Sequence, residues 1–286
     1  MLQDRHGTID YCEQGNGPTI VFVPGSWATS TTWGEIVGTM DNRFRTVTTS
    51  LPGYGGTRES RTWNDCSIDR SSETVEAAIR RAGGPVHLVG HSYGALVCLD
   101  LALCGLVPLM SLTLIEPVAF GLLRQAGELR LYEQFVKMRE DYGRIFEAGE
   151  REAARPLVEY LGGPGSFTAL PSRLREQILT TTPSQVLDMR SGFDPTIAAL
   201  GNVLLPTRII RGERTPPALH LCADILSRAM ANASLHTVAG AGHFLTAKHA
   251  AEIAGHVSDH VAKVESLAWS DLSFASPFGI ASRGAT

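Results

Sequence analysis

The segment VHLVGHSYGALVCLDLAL, residues 86–103, decides how this chain is organised. It begins with a short apolar run of the kind found in buried strands, and it ends with a longer apolar run that favours a helix. The sequence GHSYG, residues 90–94, stands between them and fits the pattern G-x-S-x-G. At a strand-to-helix junction this pattern predicts a sharp turn that exposes a serine hydroxyl beside a helix N-terminus. We therefore predict that Ser92 is a nucleophile.

Strand-like and helix-like patterns alternate on both sides of this segment. The predicted strands cover residues 19–24, 44–49, 86–90, 111–116, 206–211 and 234–238. The predicted helices cover residues 71–81, 94–104, 219–231 and 247–261. Such alternation predicts an α/β fold, with a mostly parallel central sheet flanked by helices.

The middle of the chain differs from the rest. In residues 117–205 charges are more frequent, and helical patterns dominate between Gly/Pro breaks. We therefore expect a core formed by residues 1–116 and 206–264, a helical insertion at 117–205, and a C-terminal tail at 265–286. The tail is either a docked arm or a disordered end. Its apolar residues are compatible with self-docking and with a homodimer arm, and they include Trp269, Phe274 and Phe278.

His243 is the candidate general base. A serine hydroxyl attacks near neutral pH only if a neutral imidazole accepts its proton. Of the nine histidines, only His243 follows a glycine-containing loop after a predicted strand, in AGAGH at 239–243. Loops of this kind lie at the carboxyl edge of a parallel sheet, where ligands bind.

Several blocks of the sequence resemble the α/β-hydrolase fold superfamily, and together they span most of residues 7–262. The order of serine, acid and histidine is also that of the superfamily. The resemblance implies that residues 117–205 are a helical cap, which closes over the site and sets specificity. The blocks are VFVPGSWATSTTW (21–33), LPGYGGT (51–57), VHLVGHSYGALV (86–97) and VAGAGHFLTAKH (238–249).

The resemblance also implies an oxyanion hole formed by the amides of Ser26 and Tyr93. Pro24 stands where relatives usually have a histidine. Two N–H donors aimed at one point stabilise the oxyanion of a tetrahedral intermediate. Trp27 and Trp33 lie beside this loop, and each either shapes the substrate pocket or simply packs.

The acid that would orient His243 departs from the pattern of many relatives. Those relatives carry an aspartate in the loop after the strand predicted at 206–211, where this chain has Thr215. Some members, among them certain haloalkane dehalogenases, carry the acid at the end of the strand read here at 111–116. We therefore favour Glu116 as the acid and keep Glu213 as the alternative.

These residues predict a carboxylesterase-like serine hydrolase that needs no metal or organic cofactor. It would cleave an ester-like or C–C bond of a small to medium hydrophobic substrate through an acyl-enzyme on Ser92. Carboxylesterase, lactonase, C–C bond hydrolase and aminopeptidase activities all stay open. A serine nucleophile argues against haloalkane dehalogenase and epoxide hydrolase chemistry, which need a carboxylate. Two alternatives stay open. One is a non-hydrolytic enzyme with the same triad, a lyase or a cofactor-free perhydrolase. The other is a ligand receptor built on the fold.

Composition limits the partners and the compartment. The formal net charge of −4 provides no basic field, so we expect a small-molecule substrate and no nucleic-acid or membrane partner. The five cysteines are an odd number without C-x-x-C spacing, which predicts reduced thiols. The N-terminus has no apolar signal-peptide core, and we expect a cytoplasmic protein.

Overall fold

The computed structural model describes residues 1–40 and 42–274, with side chains as far as residue 268. Within these residues the strands are β1 (Leu2–Asp4), β2 (Gly7–Ile9), β3 (Tyr11–Gln14), β4 (Thr19–Val23), β5 (Arg45–Thr49), β6 (Val86–His91), β7 (Leu109–Ile115), β8 (Thr207–Gly212) and β9 (Ala233–Val238). The α-helices are α1 (Gly34–Thr39), α2 (Ile68–Ala82), α3 (Tyr93–Cys104), α4 (Gly121–Gln125), α5 (Leu129–Glu147), α6 (Arg155–Gly162), α7 (Ser166–Ala169), α8 (Ser172–Met189), α9 (Ile197–Leu200), α10 (Pro217–Ala229) and α11 (Ala250–Phe274).

The central sheet contains seven strands in the order β3-β5-β4-β6-β7-β8-β9. β3 pairs antiparallel with β5, and the other neighbours pair in parallel. Every residue of β4 and β6 is buried, because a parallel sheet covered on both faces selects continuous apolar runs. The predicted α/β fold with a mostly parallel sheet is confirmed.

Helices cover both faces of the sheet, and neighbouring side chains of β4 pack against different helices. Phe22 belongs to a buried cluster with Ile36 of α1 and Val257 of α11. Val21 belongs to a second cluster, which contains Leu99 of α3. Because successive strand residues point to opposite faces, these clusters form two layers of core. The loops that carry the candidate site follow the carboxyl ends of the parallel strands.

The ends of the chain differ from the sequence-based expectation. The last helix begins at Ala250 and continues through Phe274, well beyond the predicted limit at residue 261. The first part of the predicted tail is therefore helical. The side chains of Trp269 and Phe274, and the whole of residues 275–286 with Phe278, lie outside what the structure describes.

Helices α4 to α9 occupy the connection between β7 and β8, where the sequence predicts a helical insertion. α4 and α5 pack against each other and both contact α10, so the insertion rests on the core. None of the helices, within the part of the chain that the structure describes, is long and apolar enough to cross a membrane.

Candidate active site

Ser92 occupies the sharp turn that the G-x-S-x-G pattern predicts. It follows β6 directly, precedes α3, and has φ 54° and ψ −121°, which is unusual for a residue with a side chain. A Cβ added at Gly90 would lie 2.5 Å from the Gly94 carbonyl oxygen, and one added at Gly94 would lie 2.3 Å from the Pro24 carbonyl oxygen. The turn therefore excludes side chains at both glycine positions of the pattern.

The structure brings His243 to Ser92. The distance between Ser92 Oγ and His243 Nε2 is 3.0 Å, which is a hydrogen bond. His243 lies on the loop that follows β9, after Gly240 with its positive φ of 66°. His243 is buried, and 9% of the surface of Ser92 is exposed to solvent. The two residues singled out from separate parts of the sequence thus form one hydrogen-bonded pair.

Glu116 binds the other side of the imidazole ring. His243 Nδ1 lies 2.9 Å from Glu116 Oε2, and both side chains are buried. Oε1 of the same carboxylate accepts hydrogen bonds from the Gly212 amide at 2.6 Å and from the Thr215 hydroxyl at 2.8 Å. Thr215, at the position where many relatives carry the aspartate, therefore donates to the carboxylate that contacts His243.

The surroundings of Glu116 favour its charged form. Burial by itself raises the pKa of this carboxyl, but the hydrogen bond and charge of His243 oppose it. With the hydrogen bonds from Gly212 and Thr215, these interactions hold the pKa of Glu116 below its ordinary value. Glu116 is thus an anion at neutral pH and accepts hydrogen bonds through both oxygens.

Glu213 lies in a different environment. It is exposed, and its carboxylate accepts a hydrogen bond from the Gly240 amide at 2.7 Å. The carbonyl oxygen of Glu213 accepts from His220 Nε2 at 3.0 Å. Of the two candidate acids, the structure places Glu116 and not Glu213 within hydrogen-bond distance of the His243 ring.

The loop after β4 passes directly beside the serine. A Cβ added at Gly25 would lie 2.9 Å from the Cβ of Ser92, so Ser26 is the next residue beyond this close approach. Tyr93 is the first residue of α3, where backbone N–H groups have no acceptor within the helix. Ser26 and Tyr93 therefore lie next to Ser92 on two different elements.

The two tryptophans near this loop occupy different places. Trp33 is buried against Phe22, with ring centroids 5.0 Å apart, in the cluster that also contains α1 and α11. Trp27 belongs to the cluster on the other face of the sheet. Among the described residues, Trp27 Nε1 and Trp33 Nε1 are buried without a hydrogen-bond partner.

A buried polar network beside the site was missed by the sequence analysis. Asp188 of α8 accepts hydrogen bonds from the Ser26 hydroxyl at 2.5 Å and from the Tyr54 hydroxyl at 2.6 Å. Its other oxygen pairs with Arg61 Nη1 at 2.5 Å, and both charged side chains are buried. The available signal was a single charge within the apolar run VLDM, residues 186–189. That signal names no partner, because Arg61 lies far away in the sequence.

His91 supports His243 from within the serine turn. Its Nε2–H donates to the His243 carbonyl oxygen at 3.0 Å, and the two ring centroids are 5.4 Å apart. The His91 side chain therefore fixes the backbone that carries His243. In the described part of the chain, the His243 imidazole contacts two other rings, those of His91 and Phe244.

Acid is expected to destabilise the protein in part through His91. Burial, assisted by the charge of His243, lowers the pKa of His91 from 6.5 to about 4. Between these values the unfolded chain binds the proton more readily than the folded protein, so stability falls as the pH falls from 6.5 to about 4. The full shift corresponds to roughly 3 kcal/mol of the free energy of unfolding. In urea unfolding across this range, His91→Phe should lose less of this free energy than the wild type. If His91→Phe and the wild type lost the same free energy of unfolding over this pH range, His91 would not be a source of the acid sensitivity.

Comparison with known proteins gives a family and a fold. A profile described as "Alpha/beta hydrolase family" matches residues 20–256. A pimeloyl-[acyl-carrier protein] methyl ester esterase of Methylococcus capsulatus is 34% identical over 165 residues, which cover 52% of this chain and 62% of that protein. The esterase of the same name from Nitrosomonas europaea is 34% identical over 89 residues, which cover 31% of this chain and 33% of that protein. The chain thus spans less than two thirds of both curated relatives.

Solved structures show the same fold at low sequence identity. MenH from S. aureus has a TM-score of 0.71 at 18% identity, with 89% of this chain and 98% of that chain covered. A thermophilic esterase from Thermogutta terrifontis has a TM-score of 0.68 at 17% identity, with 90% and 93% covered. At this level of identity the likeness concerns the fold, and the chemistry must be argued from the residues.

Proposed function

Because the chain belongs to the Alpha/beta hydrolase family, we propose that it is a serine hydrolase of the carboxylesterase kind. The observation that carries the proposal is the hydrogen-bonded series from Ser92 through His243 to Glu116, with distances of 3.0 and 2.9 Å. A nucleophile, a base and an orienting acid in this order constitute a complete catalytic triad. The series is formed by side chains from three separate loops at the carboxyl edge of the sheet.

Each member of the triad has a defined proton to hold or move. Ser92 Oγ attacks the ester carbonyl carbon while His243 Nε2 accepts the hydroxyl proton. Glu116 accepts the Nδ1–H hydrogen bond and stabilises the imidazolium that forms. His243 then returns the proton to the leaving alcohol, and an acyl-enzyme on Ser92 remains. Water, deprotonated by His243, attacks this acyl group and releases the carboxylic acid and free Ser92.

The negative charge of each tetrahedral intermediate falls on the former carbonyl oxygen. We assign its stabilisation to the amides of Ser26 and Tyr93, which flank Ser92 from the β4 loop and from the start of α3. The N-terminus of α3 adds favourable potential at the same place. Removal of one such donor in other hydrolases typically lowers the rate by about 10²–10³.

The proposed substrate class is a carboxylic ester with a small or medium hydrophobic acyl group. The two curated relatives are named for the hydrolysis of a methyl ester, which favours an ester over a C–C bond. Helices α4 to α9 are proposed to act as the cap, because α8 contacts the loop beside Ser92 through Asp188 and Ser26. The apolar side chains of these helices suit an acyl chain better than a charged substrate.

The first test is covalent labelling with a fluorophosphonate, which reacts with activated serines without knowledge of the substrate. We expect one adduct on the wild-type protein by intact-mass spectrometry, and no adduct on Ser92→Ala. The reason is that only a serine next to a neutral base loses its proton readily during attack. Absence of an adduct on folded wild-type protein would contradict an activated Ser92.

The chain itself offers a matched control for this labelling. Ser111, near the start of β7, lies 2.8 Å from His87 Nδ1, and His87 Nε2 lies 3.0 Å from Glu265. This arrangement imitates a triad, but Ser111 is 1% exposed and lies toward the other end of its strand. Ser111→Ala should therefore keep the full adduct. Loss of the adduct in this variant would assign the reactive serine to Ser111.

Turnover separates an esterase from the alternatives. A series of p-nitrophenyl and methyl esters of increasing acyl length should give multiple turnovers, with none in Ser92→Ala. A hydrolase-fold receptor would release a single equivalent of product slowly. A lyase would instead cleave hydroxynitriles and leave the esters intact, and a C–C hydrolase would prefer β-diketones.

A further inference from the structure

Helix α8 of the insertion holds the loop after β4 at two points. At one point the Gln177 side-chain amide donates to the carbonyl oxygen of Trp27 at 2.6 Å. At the other, the Asp188 carboxylate accepts the Ser26 hydroxyl at 2.5 Å. Gln177 and Asp188 are about three helical turns apart, so they lie on the same face of α8. One face of one helix thus contacts two successive residues of the loop.

The loop needs such support because its backbone conformation is unfavourable. Residues 25–28 form a turn in which the Ala28 amide donates to the Gly25 carbonyl oxygen at 3.3 Å. Trp27, the third residue of this turn, has φ 64°. Turns with a positive φ at this position usually have glycine there. A bulky residue keeps such a conformation only where surrounding contacts impose it.

Asp188 can serve as an anchor because its own position is fixed. Arg61 neutralises its charge and holds the carboxylate through Oδ1. Oδ2 accepts from the Tyr54 hydroxyl as well as from the Ser26 hydroxyl, and the Tyr54 bond is not needed to hold the carboxylate. Arg61 is held in turn by both oxygens of Glu59, at 2.8 and 2.9 Å, and by the Ser184 carbonyl oxygen at 3.3 Å. A buried carboxylate without such a partner would be costly. The network therefore presents one rigid acceptor to the loop.

We propose that Asp188 is a positioning residue, which acts through the Ser26 hydroxyl to place the Ser26 amide for the oxyanion of the reaction. Gln177 acts on the same turn through the Trp27 carbonyl. The inference rests on the proposed function, since it assigns a purpose to the loop only if Ser92 forms tetrahedral intermediates. It implies that the oxyanion hole is complete only when α8 is docked on the core. Displacement of a donor by about 1 Å is enough to lower a rate about 10²-fold.

The test compares two variants that each remove one donor to the same oxygen of Asp188. Ser26→Ala removes the donor on the loop but keeps the backbone amide, and Tyr54→Phe removes the donor that does not belong to the loop. We expect Ser26→Ala to lower kcat for a carboxylic ester about 10- to 100-fold with little change in KM, consistent with a misplaced donor. Tyr54→Phe should change kcat by less than about threefold at a similar loss of Tm.

A second readout reports the oxyanion directly. An aryl trifluoromethyl ketone forms a hemiketal oxyanion on Ser92, so its Ki should rise in Ser26→Ala by the factor by which kcat/KM falls. In the Asp188→Asn background, addition of Ser26→Ala should cause little further loss of kcat, because the Asn amide NH₂ at the Oδ2 position no longer accepts the Ser26 hydroxyl. If Asp188→Asn does not fold, Ser26→Ala and Tyr54→Phe decide the question, since both keep the Asp188–Arg61 pair.

The outcomes separate this inference from the proposed function. Wild-type protein that neither reacts with a fluorophosphonate nor turns over esters would overturn the proposed function itself. If the wild type is labelled by the fluorophosphonate and turns over esters, the proposed function stands. Unchanged kcat and unchanged Ki of the ketone in Ser26→Ala would then overturn the positioning role alone. Equal losses of kcat in Ser26→Ala and Tyr54→Phe would show a general structural role of the network instead.

Discussion

Replacement of His243 by alanine is expected to lower kcat for an alkyl ester by about 10⁶-fold, the size of effect seen when a triad base is removed. Ser92 would keep its hydroxyl proton, because the atom 3.0 Å away that accepts it is gone. The leaving alcohol would also lack its proton donor. Purified variant and wild-type protein should be compared with a methyl or ethyl ester, because a p-nitrophenolate leaving group needs no protonation. The rate of fluorophosphonate labelling should fall as well.

The control for this prediction is a histidine of the same chain outside the site. His249 follows shortly after His243, and its Nδ1 lies 3.8 Å from Glu252 Oε2, away from Ser92. Because its ring takes no part in the proposed proton transfer, His249→Ala should leave kcat within about twofold of the wild type. The competing base would be His91, whose ring centroid is 5.4 Å from that of His243. If His243→Ala kept more than a tenth of the wild-type kcat and the double variant with His91→Phe lost it, His91 would be the base.

The turn that carries Ser92 and the loop that carries His243 could be predicted because their signals are local. The turn at Ser92 requires two glycines and a strand-to-helix junction, and all of these lie within a few consecutive residues. His243 follows a strand and a glycine loop, which is again a short pattern. The strands of the sheet centre could be predicted for the same reason, since burial on both faces selects continuous apolar runs.

Other elements left no local signal. β3 lies at the edge of the sheet, and three of its four residues are exposed, so its sequence YCEQ carries no apolar run or alternation. Asp188 and Arg61 meet only because α8 docks on the loop after β5. A pairing between such distant residues depends on tertiary packing, which a single sequence does not show.

Which carboxylate contacts the His243 ring depends on sheet register, and the sequence alone therefore leaves two candidates. β7 pairs with β8 so that Ile115 lies opposite Ile210, which puts Glu116 beside the end of β8 and the loop with Thr215. The Glu116 amide donates to the Ile210 carbonyl oxygen at 2.8 Å, and its φ of 51° turns the chain at this point. Glu213 is close in sequence to Thr215, but its carboxylate accepts from Gly240 instead.

Substitution of Glu116 by glutamine is expected to lower kcat by about 10⁴-fold, with little change in KM. Gly212 N–H and Thr215 Oγ–H both donate to Oε1, so the glutamine oxygen will take that position. The glutamine NH₂ group then faces His243 Nδ1, which becomes an acceptor. The ring proton moves to Nε2, and His243 presents a donor to Ser92 where it must accept a proton. The effect is therefore a change of tautomer in an almost unchanged structure.

Glu213→Gln is the matched control, because it makes the same chemical change in the neighbouring loop. Its carboxylate is exposed and accepts from the Gly240 amide, a bond that the glutamine oxygen can replace. We expect kcat within about twofold of the wild type, as for most surface substitutions. A large loss in Glu213→Gln with none in Glu116→Gln would transfer the acid role to Glu213. Small losses in both would mean that Ser92 and His243 work as a dyad. A loss confined to Glu116→Gln would show that the acid stands at the end of β7.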